Sequence, residues 1–278
     1  MTVTQDDEVI DSAAVRAFAD QYGGRAARLP PLAIVIAAYN EEGAIGPVVE
    51  ALPQAVAGLE AAKIVVSDGS VDATVKDAEA AGALVCDVPV NRGQGAALRL
   101  GYRLARAGGA QYIVTTDADG QYNPAEIESL LAPILAGRAD FVTGSRTMGS
   151  EETKDPVRKL GVRVFAIVIS ALTGQRVTDT TFGLRAMRAE VTGAVLLEQP
   201  QYQAAELLIG VITHGYRVAE VPATIHKRQV GHSKKGHNAI YALHFIGVVG
   251  GTWLRERHRR TGGSVRRSPA SSSETDSS

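Results

Sequence analysis

The sequence is nearly free of cysteine: Cys86 is the only one in 278 residues. A single thiol excludes an internal disulfide and fits a reducing compartment. A lone cysteine is most often a small buried hydrophobic residue, and we expect Cys86 to be one. Aromatic residues are also scarce, at 5% of the chain, and no helix-turn-helix, zinc-finger or RNA-binding signature is present. The sequence therefore argues against a nucleic-acid partner.

Long hydrophobic runs are missing as well. The longest apolar stretches are residues 165–172 and 241–254, and both are shorter than the roughly 20 residues that a membrane-spanning helix needs. The N-terminal residues are acidic and contain no apolar run, which predicts that there is no signal peptide. We expect a cytoplasmic protein that is soluble or peripheral to the inner face of the membrane.

The formal net charge of −1 hides an uneven distribution of charge. The first thirty residues are mainly acidic, whereas residues 227–267 are strongly basic. A basic segment beside a nearly neutral body predicts an anionic partner, which is a nucleotide phosphate, a lipid phosphate or a membrane surface.

Composition also divides the chain. Hydrophobic residues make up 45% of it, enough for a sizeable core. We predict a polar lead-in at residues 1–30 with a short helix at 12–22, and a single catalytic domain at 31–240. A basic amphipathic helix at 241–261 and a disordered tail at 262–278 are predicted to follow.

Between residues 31 and 145, short apolar runs alternate with longer helical patterns, among them a predicted helix at residues 43–61 that is followed by a strand starting at Lys63. The strands read as continuous apolar segments, which is typical of a mostly parallel sheet flanked by helices on both faces. Ligands bind beyond the carboxyl ends of such strands. Polar residues follow each of the five predicted strands, and we expect them to meet at one edge: AYNEE, SDGSVDAT, NRGQGAA, DADGQYN and GSR.

The fourth of these segments carries two carboxylates, Asp117 and Asp119, separated by one residue and followed by Gln121. Carboxylates this close repel each other unless a cation or a proton lies between them. Oxygen ligands of this kind suit Mg²⁺ or Mn²⁺, with substrate phosphates completing the coordination. The segment therefore predicts half of a metal site, and an ordinary acidic turn is the alternative.

Two further segments fit an anionic ligand. Gly93 and Gly95 open a helix and favour either close approach to a ligand or tight packing. A basic loop supplies Arg228 and Lys234 beside other cations and could fold over a diphosphate, or could simply be solvated.

Glu206 stands in an otherwise apolar helical pattern, so it needs a partner. We expect a role in the site, and an ion pair with an arginine such as Arg185 is the alternative.

Taken in order, AAYNEE, SDGSVDAT, NRGQGAAL, DADGQ, GSR, DTTFGLR and EVPATIHKRQVGHSK resemble the family 2 glycosyltransferases of the GT-A fold. The similarity spans about residues 32–235 and is greatest to the polyprenyl-phosphate sugar synthases, such as dolichyl-phosphate mannose synthase. Three positions depart from the family pattern: Ser67 stands where an aspartate is usual, Ala37 where a proline is common, and Thr181 where a small residue usually precedes Phe-Gly, a mild change. The first two departures leave the base of the donor nucleotide open.

The resemblance implies a Rossmann-like sheet, a nucleoside-diphosphate sugar as donor (UDP, GDP or dTDP) and a Mg²⁺ or Mn²⁺ ion. It implies metal ligands at Asp117, Asp119 and Gln121 and acceptor contacts at Arg146 and Arg158. The implied donor-binding positions are Ala37, Tyr39, Glu41, Val66, Asp68, Asp117, Ala118, Arg228 and Lys234.

The implied reaction is a one-step inverting transfer to a polyprenyl phosphate, with Arg146 close to the reacting phosphates. A phosphate acceptor is already largely nucleophilic at neutral pH, whereas a hydroxyl acceptor needs a base, for which Asp179 and Glu206 are candidates. The alternatives are transfer to a soluble small molecule, a sugar nucleotidyltransferase and a non-catalytic nucleotide-binding relative. The resemblance sets neither the sugar nor the oligomeric state.

Overall fold

The structure is a computed structural model. It describes residues 4–152, 156–199, 202–227 and 239–262, and within these ranges it describes the side chains of all but 156–158, 239–246 and 260–262.

Strands and helices alternate through most of the described chain, as the sequence predicts. The strands are β1 (Leu32–Ala38), β2 (Ala55–Val56), β3 (Leu59–Asp68), β4 (Leu84–Val88), β5 (Tyr112–Asp117), β6 (Phe141–Glu151), β7 (Arg185–Arg188) and β8 (Val218–Ile225). The helices are α1 (Gln5–Tyr22), α2 (Gly24–Ala27), α3 (Ile45–Ala51), α4 (Thr74–Ala80), α5 (Gln94–Ala107), α6 (Ile127–Leu135), α7 (Pro156–Thr173), α8 (Val191–Ala194), α9 (Gln203–Thr213) and α10 (Ala239–Gly262).

The strands form one mixed sheet in the order β4, β3, β1, β5, β7, β6, β8. All neighbours on this path are parallel except β7, which is antiparallel to both β5 and β6. Because β7 reverses direction between them, β5 and β6 point the same way. The predicted mostly parallel sheet in a single domain is therefore confirmed.

Both faces of the sheet are buried, which explains why the strands read as continuous apolar runs. Along β1, Ala33 and Val35 pack in a core with α1, α5 and α9. The alternate residues Ile34 and Ile36 pack on the other face with α3, α4 and α6. Successive side chains of a strand point to opposite faces, so each strand contributes to both cores.

One predicted helix, at residues 43–61, is wrong in its second half. Helix α3 ends at Ala51, and Leu52 has an extended backbone with ψ 137°. Pro53 follows it, and a residue before proline is disfavoured in the helical region. Ala57 and Gly58 both have positive φ and form the two-residue turn of a hairpin between β2 and β3. Strand β3 therefore begins at Leu59, before the predicted start at Lys63.

The segment predicted as a polar lead-in forms helix α1, which packs against β4 of the domain. Helix α1 begins at Gln5 rather than at residue 12, because Thr4 and Asp7 form a capping box at its start. Asp11 on α1 is buried and pairs with Arg92 at 2.8 Å and with Arg99 at 3.4 Å. These ion pairs fasten α1 to the loop before α5 and to α5 itself.

Helix α10 is fastened by a buried charge network centred on Glu206, which has no solvent exposure. Arg255 on α10 contacts Glu206 and Glu198, each at 2.8 Å. Glu206 also accepts the backbone N–H groups of Glu198 (3.1 Å) and Gln199 (3.0 Å). The ion-pair interpretation of Glu206 is therefore right in kind and wrong in partner, since Arg185 instead donates to the carbonyl of Phe182 at 2.7 Å.

Helix α10 extends over the segment predicted as an amphipathic C-terminal helix. Its described part packs against α9, with Val249, Thr252 and Glu256 buried. In the part of the chain that the structure describes, no helix is both long enough and apolar enough to cross a bilayer.

Cys86 is buried in the core beside α1, as expected. Burial raises the pKa of its thiol from 9.0 to about 12. We predict that a disulfide reagent at pH 8 labels the folded protein on the order of 10³-fold more slowly than the urea-unfolded protein, because the thiolate is the reactive form. Equal labelling rates in the two states would contradict this placement of β4 under α1.

Replacement of Arg255 by alanine leaves the buried carboxylate of Glu206 without a cation. We expect Arg255→Ala to lower the free energy of unfolding in urea by about 3 kcal/mol. Arg259→Ala is the matched control on the same helix, because Arg259 is half exposed and lies 3.7 Å from Glu256. Its expected loss is below about 1 kcal/mol, and an equal loss in both variants would show that the network does not hold α10.

Candidate active site

The strand register brings the predicted polar segments to one edge of the sheet. Ala37 on β1 pairs with Val66 on β3 and with Asp117 on β5, so these strands end at the same level. Thr115 and Thr143 both pair with Arg185 on β7, which places the end of β5 beside the middle of β6. The polar residues that follow β1, β3, β5 and the start of β6 therefore lie along one edge.

The turn after β5 presents the two carboxylates. Asp117 is the last residue of β5, and its Oδ1 accepts a hydrogen bond from Nε2 of Gln94 at 3.0 Å. Asp119 is largely buried, and its Oδ1 accepts the backbone N–H of Gln121 at 3.1 Å. Gly120 has φ 71°, a conformation that reverses the chain and that glycine adopts readily.

Gln121 connects this turn to the end of β8. Its Nε2 donates to the carbonyl of His226 at 3.0 Å, and the N–H of His226 donates to the carbonyl of Gln121 at 2.9 Å. A carbonyl can only accept, so the amide nitrogen of Gln121 faces His226 and the amide oxygen faces away. The basic loop begins just beyond, and its predicted ligands Arg228 and Lys234 lie outside the described residues.

The backbone of Gly183 packs against the other side of Asp117. A Cβ at Gly183 would lie 2.6 Å from Oδ2 of Asp117 and 2.7 Å from the hydroxyl of Tyr122. The N–H of Gly183 donates to that hydroxyl at 2.8 Å. Burial, with the nearby charge of Asp117, raises the pKa of Tyr122, so the hydroxyl stays neutral. Any side chain at position 183 would displace the carboxylate.

Asp68, at the end of β3, holds the loop before α5. Its Oδ2 accepts the N–H groups of Arg92 (3.0 Å) and Gly93 (2.7 Å). Burial raises the pKa of Asp68, and these two hydrogen bonds oppose the rise. Gly93 has φ 94°, as this loop requires. Gly95 serves packing, because a Cβ there would collide with the backbone carbonyl of Gln199.

The remaining donor positions differ in accessibility. Tyr39 is partly exposed beyond β1, and the N–H of Glu41 donates to the hydroxyl of Thr74 at 2.8 Å. Ala37 is partly exposed and Ala118 is buried. Val66 is fully buried with its side chain against Gly101 of α5. The Val66 side chain is thus turned into the core.

Arg146 and Asp179 form a buried pair at the β6 side of the edge. Arg146 Nε lies 2.6 Å from Asp179 Oδ2, and the backbone N–H of Arg146 donates to the same carboxylate at 3.2 Å. Glu220 on β8 accepts the N–H groups of Thr178 and Asp179 at 2.8 and 2.9 Å and so fixes this loop. Asp179 has no solvent exposure, and its contacts favour a role in holding Arg146 over a role as base.

The other predicted residues lie apart from this group or cannot be placed in it. Arg158 lies in α7, but its side chain is outside the described set. Glu206 is enclosed by Arg255 and two backbone N–H groups, and no described contact joins its side chain to Asp117 or Asp119. Gln94, Gly183, Tyr122 and Glu220 were not predicted as site residues, although all four lie within the sequence motifs quoted above.

Comparison with known proteins agrees with this geometry. The family model described as Glycosyl transferase family 2 matches residues 33–196, more than half of the chain. A dolichyl-phosphate hexose transferase from Haloferax volcanii is 34% identical over 197 residues, covering 71% of this chain and 83% of that protein. A polyprenol monophosphomannose synthase from Mycolicibacterium smegmatis is 31% identical over 257 residues, covering 84% and 91%.

A solved structure shows the same fold. It is glucosyl-3-phosphoglycerate synthase from Mycobacterium tuberculosis in complex with Mn²⁺, uridine diphosphate and glucosyl-3-phosphoglycerate. The TM-score is 0.63 at 23% identity, with 87% of this chain and 84% of that chain covered. The family model, the two relatives and this fold together show that the chain belongs to glycosyl transferase family 2 and is a glycosyltransferase of the GT-A fold.

Proposed function

We propose that the protein transfers a sugar, with inversion, from a nucleoside-diphosphate sugar to a polyprenyl phosphate. The observation that carries the proposal is the meeting of Asp117, Asp119 and Gln121 at one sheet edge, with Arg146 on β6, which β7 separates from β5. The named relatives that act on dolichyl or polyprenol phosphates support the choice of acceptor.

The chemistry of the acidic turn fits a divalent cation. Asp117, Asp119 and the amide oxygen of Gln121 are hard oxygen donors of the kind that Mg²⁺ and Mn²⁺ prefer. Among the described residues, no group of three or more histidine, cysteine or acidic side chains forms a metal cage. A cation at this turn therefore needs further oxygen ligands, which a donor diphosphate and water supply. When bound, it neutralises charge on the departing nucleoside diphosphate.

The contacts proposed for the donor base lie at the end of β3. Within the described chain, Asp68 Oδ1 and Ser67 Oγ are buried and make no hydrogen bond. Buried polar atoms without a partner are costly, and a ligand that donates to them removes the cost. An N–H of a nucleobase suits the carboxylate, since it favours the charged form of a group whose pKa burial raises.

A cavity of about 220 Å³ between β6 and α7 fits an anionic acceptor. It is lined by Arg146, Lys159 and Arg163, with Glu151 as the one acidic lining residue. The side chain of Glu151 lies 3.8 Å from Arg146. Three cations against two carboxylates, Glu151 and the Asp179 that pairs with Arg146, leave a net positive charge, which favours a phosphate group.

The burial and the hydrogen bonds of the two candidate bases also favour a phosphate acceptor. Asp179 and Glu206 are both fully buried, and each is held by an arginine and by backbone N–H groups. A phosphate monoester has a second pKa near 6 and is largely dianionic at neutral pH. It needs no protein base, so it can react at a site in which these two carboxylates serve only to position other groups.

The reaction then follows from geometry. A phosphate oxygen of the acceptor attacks the anomeric carbon from the face opposite the leaving group. The new carbon–oxygen bond forms as the bond to the nucleoside diphosphate breaks, and the electron pair departs with the diphosphate. Arg146 orients the attacking phosphate, and Gln94 and Gly183 hold Asp117 in place. Orientation of this kind supplies a large share of catalysis.

Asp119→Ala removes one of the two carboxylates at the turn. We expect turnover of the nucleotide sugar in the presence of Mn²⁺ to fall on the order of 10²–10³-fold, because charge on the leaving group is no longer balanced. Wild-type protein should also gain about 2.7 kcal/mol of stability at a nucleotide concentration one hundred times the Kd, and the variant should gain less. UDP, GDP and dTDP are each tested by thermal denaturation with and without Mn²⁺.

Glu128→Ala is the control for this experiment, because Glu128 lies exposed on α6 away from the turn. It should leave both measurements unchanged. Equal turnover in wild type and Asp119→Ala would rule out the metal-dependent reaction.

Asp179→Asn keeps the shape of the buried side chain and removes the charge that holds Arg146. We expect the KM for a short, water-soluble prenyl phosphate to rise on the order of tenfold, while kcat falls much less. A catalytic base would behave differently, since its loss lowers kcat by roughly 10²–10⁴-fold at little change in KM. Steady-state release of the nucleoside diphosphate gives both constants, and a selective fall in kcat would restore Asp179 as the base of a hydroxyl acceptor.

A further inference from the structure

Helix α7 carries apolar residues on two opposite sides. On one side, Phe165 and Ile169 are buried in the core of the sheet. On the other side, Leu160, Val164 and Ile167 are exposed by 64%, 42% and 68%. Their spacings of four and three residues place these three on a single stripe along the helix. We call Leu160, Val164 and Ile167 the α7 stripe.

Basic residues flank the α7 stripe, and acidic residues are missing from the helix. Lys159 and Arg163 are exposed one residue before Leu160 and Val164, respectively. The sequence of α7, residues 156–173, contains no aspartate or glutamate. An apolar stripe on a helix whose charged residues are all cations is typical of a helix that lies in the interface of a bilayer with anionic lipids.

We infer that the α7 stripe is the surface by which the protein docks on an anionic bilayer. The inference rests on the proposed function and adds the place where this enzyme meets its lipid acceptor. Lys159 and Arg163 also line the cationic cavity that ends at Arg146. With the stripe immersed, a lipid phosphate enters that cavity from the headgroup layer while its hydrocarbon chain stays among the lipid tails.

A second copy of the chain is a poorer occupant of the stripe. In a two-fold dimer the α7 surface would face itself, and the cations of one copy would meet a helix without any carboxylate. Desolvating unpaired cations in this way is unfavourable, whereas anionic lipid headgroups would pair with them.

The inference also moves the membrane contact away from the C-terminal helix, which belongs to the basic segment at residues 227–267 for which the sequence predicts an anionic partner. The described part of α10 packs on α9 through Val249 and Thr252 and is held by the Arg255 network. Leu254 is the large apolar residue that α10 exposes there, at 52%. It therefore serves as a matched control for the α7 stripe.

The test is co-sedimentation with vesicles of phosphatidylcholine alone and of phosphatidylcholine with phosphatidylglycerol. Wild-type protein should bind the anionic vesicles more strongly. The double variant Leu160→Gln and Ile167→Gln should lose on the order of tenfold or more in partitioning, because two large apolar side chains no longer enter the interface. Lys159→Gln and Arg163→Gln should each cost roughly fivefold, on anionic vesicles only. Leu254→Gln should bind like wild type.

Activity separates this inference from the proposed function. With a short, water-soluble prenyl phosphate the double stripe variant should turn over like wild type, whereas with a long-chain polyprenyl phosphate in vesicles it should be slower by the loss in binding. If wild type uses neither acceptor, the proposed function fails, and the vesicle result stands separately.

Three results would overturn the docking surface. They are wild-type protein that ignores anionic vesicles, unchanged binding in the double stripe variant, and a loss of binding confined to Leu254→Gln. A wild-type dimer in sedimentation that the stripe substitutions dissociate would assign the surface to a second copy instead. Circular dichroism and thermal melting confirm that each variant is folded.

Discussion

The repulsion between Asp117 and Asp119 is the constraint around which the edge of the sheet is organised. Two carboxylates one residue apart on a turn separate unless something holds them. Gln94 donates to Asp117 from the start of α5, and the lack of a side chain at Gly183 leaves room for the second oxygen. The backbone of Gln121 donates to Asp119. These groups come from three separate segments, so the turn depends on the whole sheet for its geometry.

The geometry of this turn also depends on residues near both ends of the described chain. At the N-terminal end, Asp11 pairs with Arg92, and the backbone of Arg92 and Gly93 caps Asp68. At the C-terminal end, Arg255 neutralises Glu206, which holds the backbone of Gln199 against the start of α5. Contacts from α1 and α10 thus fix the position of α5. Gln94, at the start of α5, in turn fixes Asp117 by its hydrogen bond. Buried ion pairs are a weak source of stability, but they specify one arrangement of these elements, which a site of this kind requires.

These long-range contacts explain which features of the structure the sequence can predict and which it cannot. Continuous apolar strands predicted a sheet with two buried faces, and the carboxyl ends of parallel strands predicted where Asp117 and Asp119 lie, because both follow from local patterns. The partner of Glu206 could not be found in this way, since 49 residues separate it from Arg255. A buried carboxylate shows in the sequence that it needs a cation, but not which of several arginines is near.

Gln94 and Gly183 show a second limit. Both lie in motifs that carry the family resemblance, NRGQGAAL and DTTFGLR, yet their effect on Asp117 depends on how α5 and the loop before β7 approach β5. The helix predicted at residues 43–61 failed for a local reason that the sequence does contain. Pro53 disfavours a helical Leu52, and Ala57–Gly58 is a turn between strands.

The burial of Asp179 and Glu206 has a consequence for the chemistry. A site with a protein base must leave that base an open oxygen facing the acceptor, as a hydroxyl acceptor requires. Here Asp179, the candidate base beside Arg146, is engaged by Arg146 and by the N–H of Thr181. An acceptor that arrives as a dianion avoids this requirement and is drawn by the same cations that line the cavity. A lipid-borne phosphate satisfies both conditions and also accounts for the apolar stripe on the helix that supplies two of those cations.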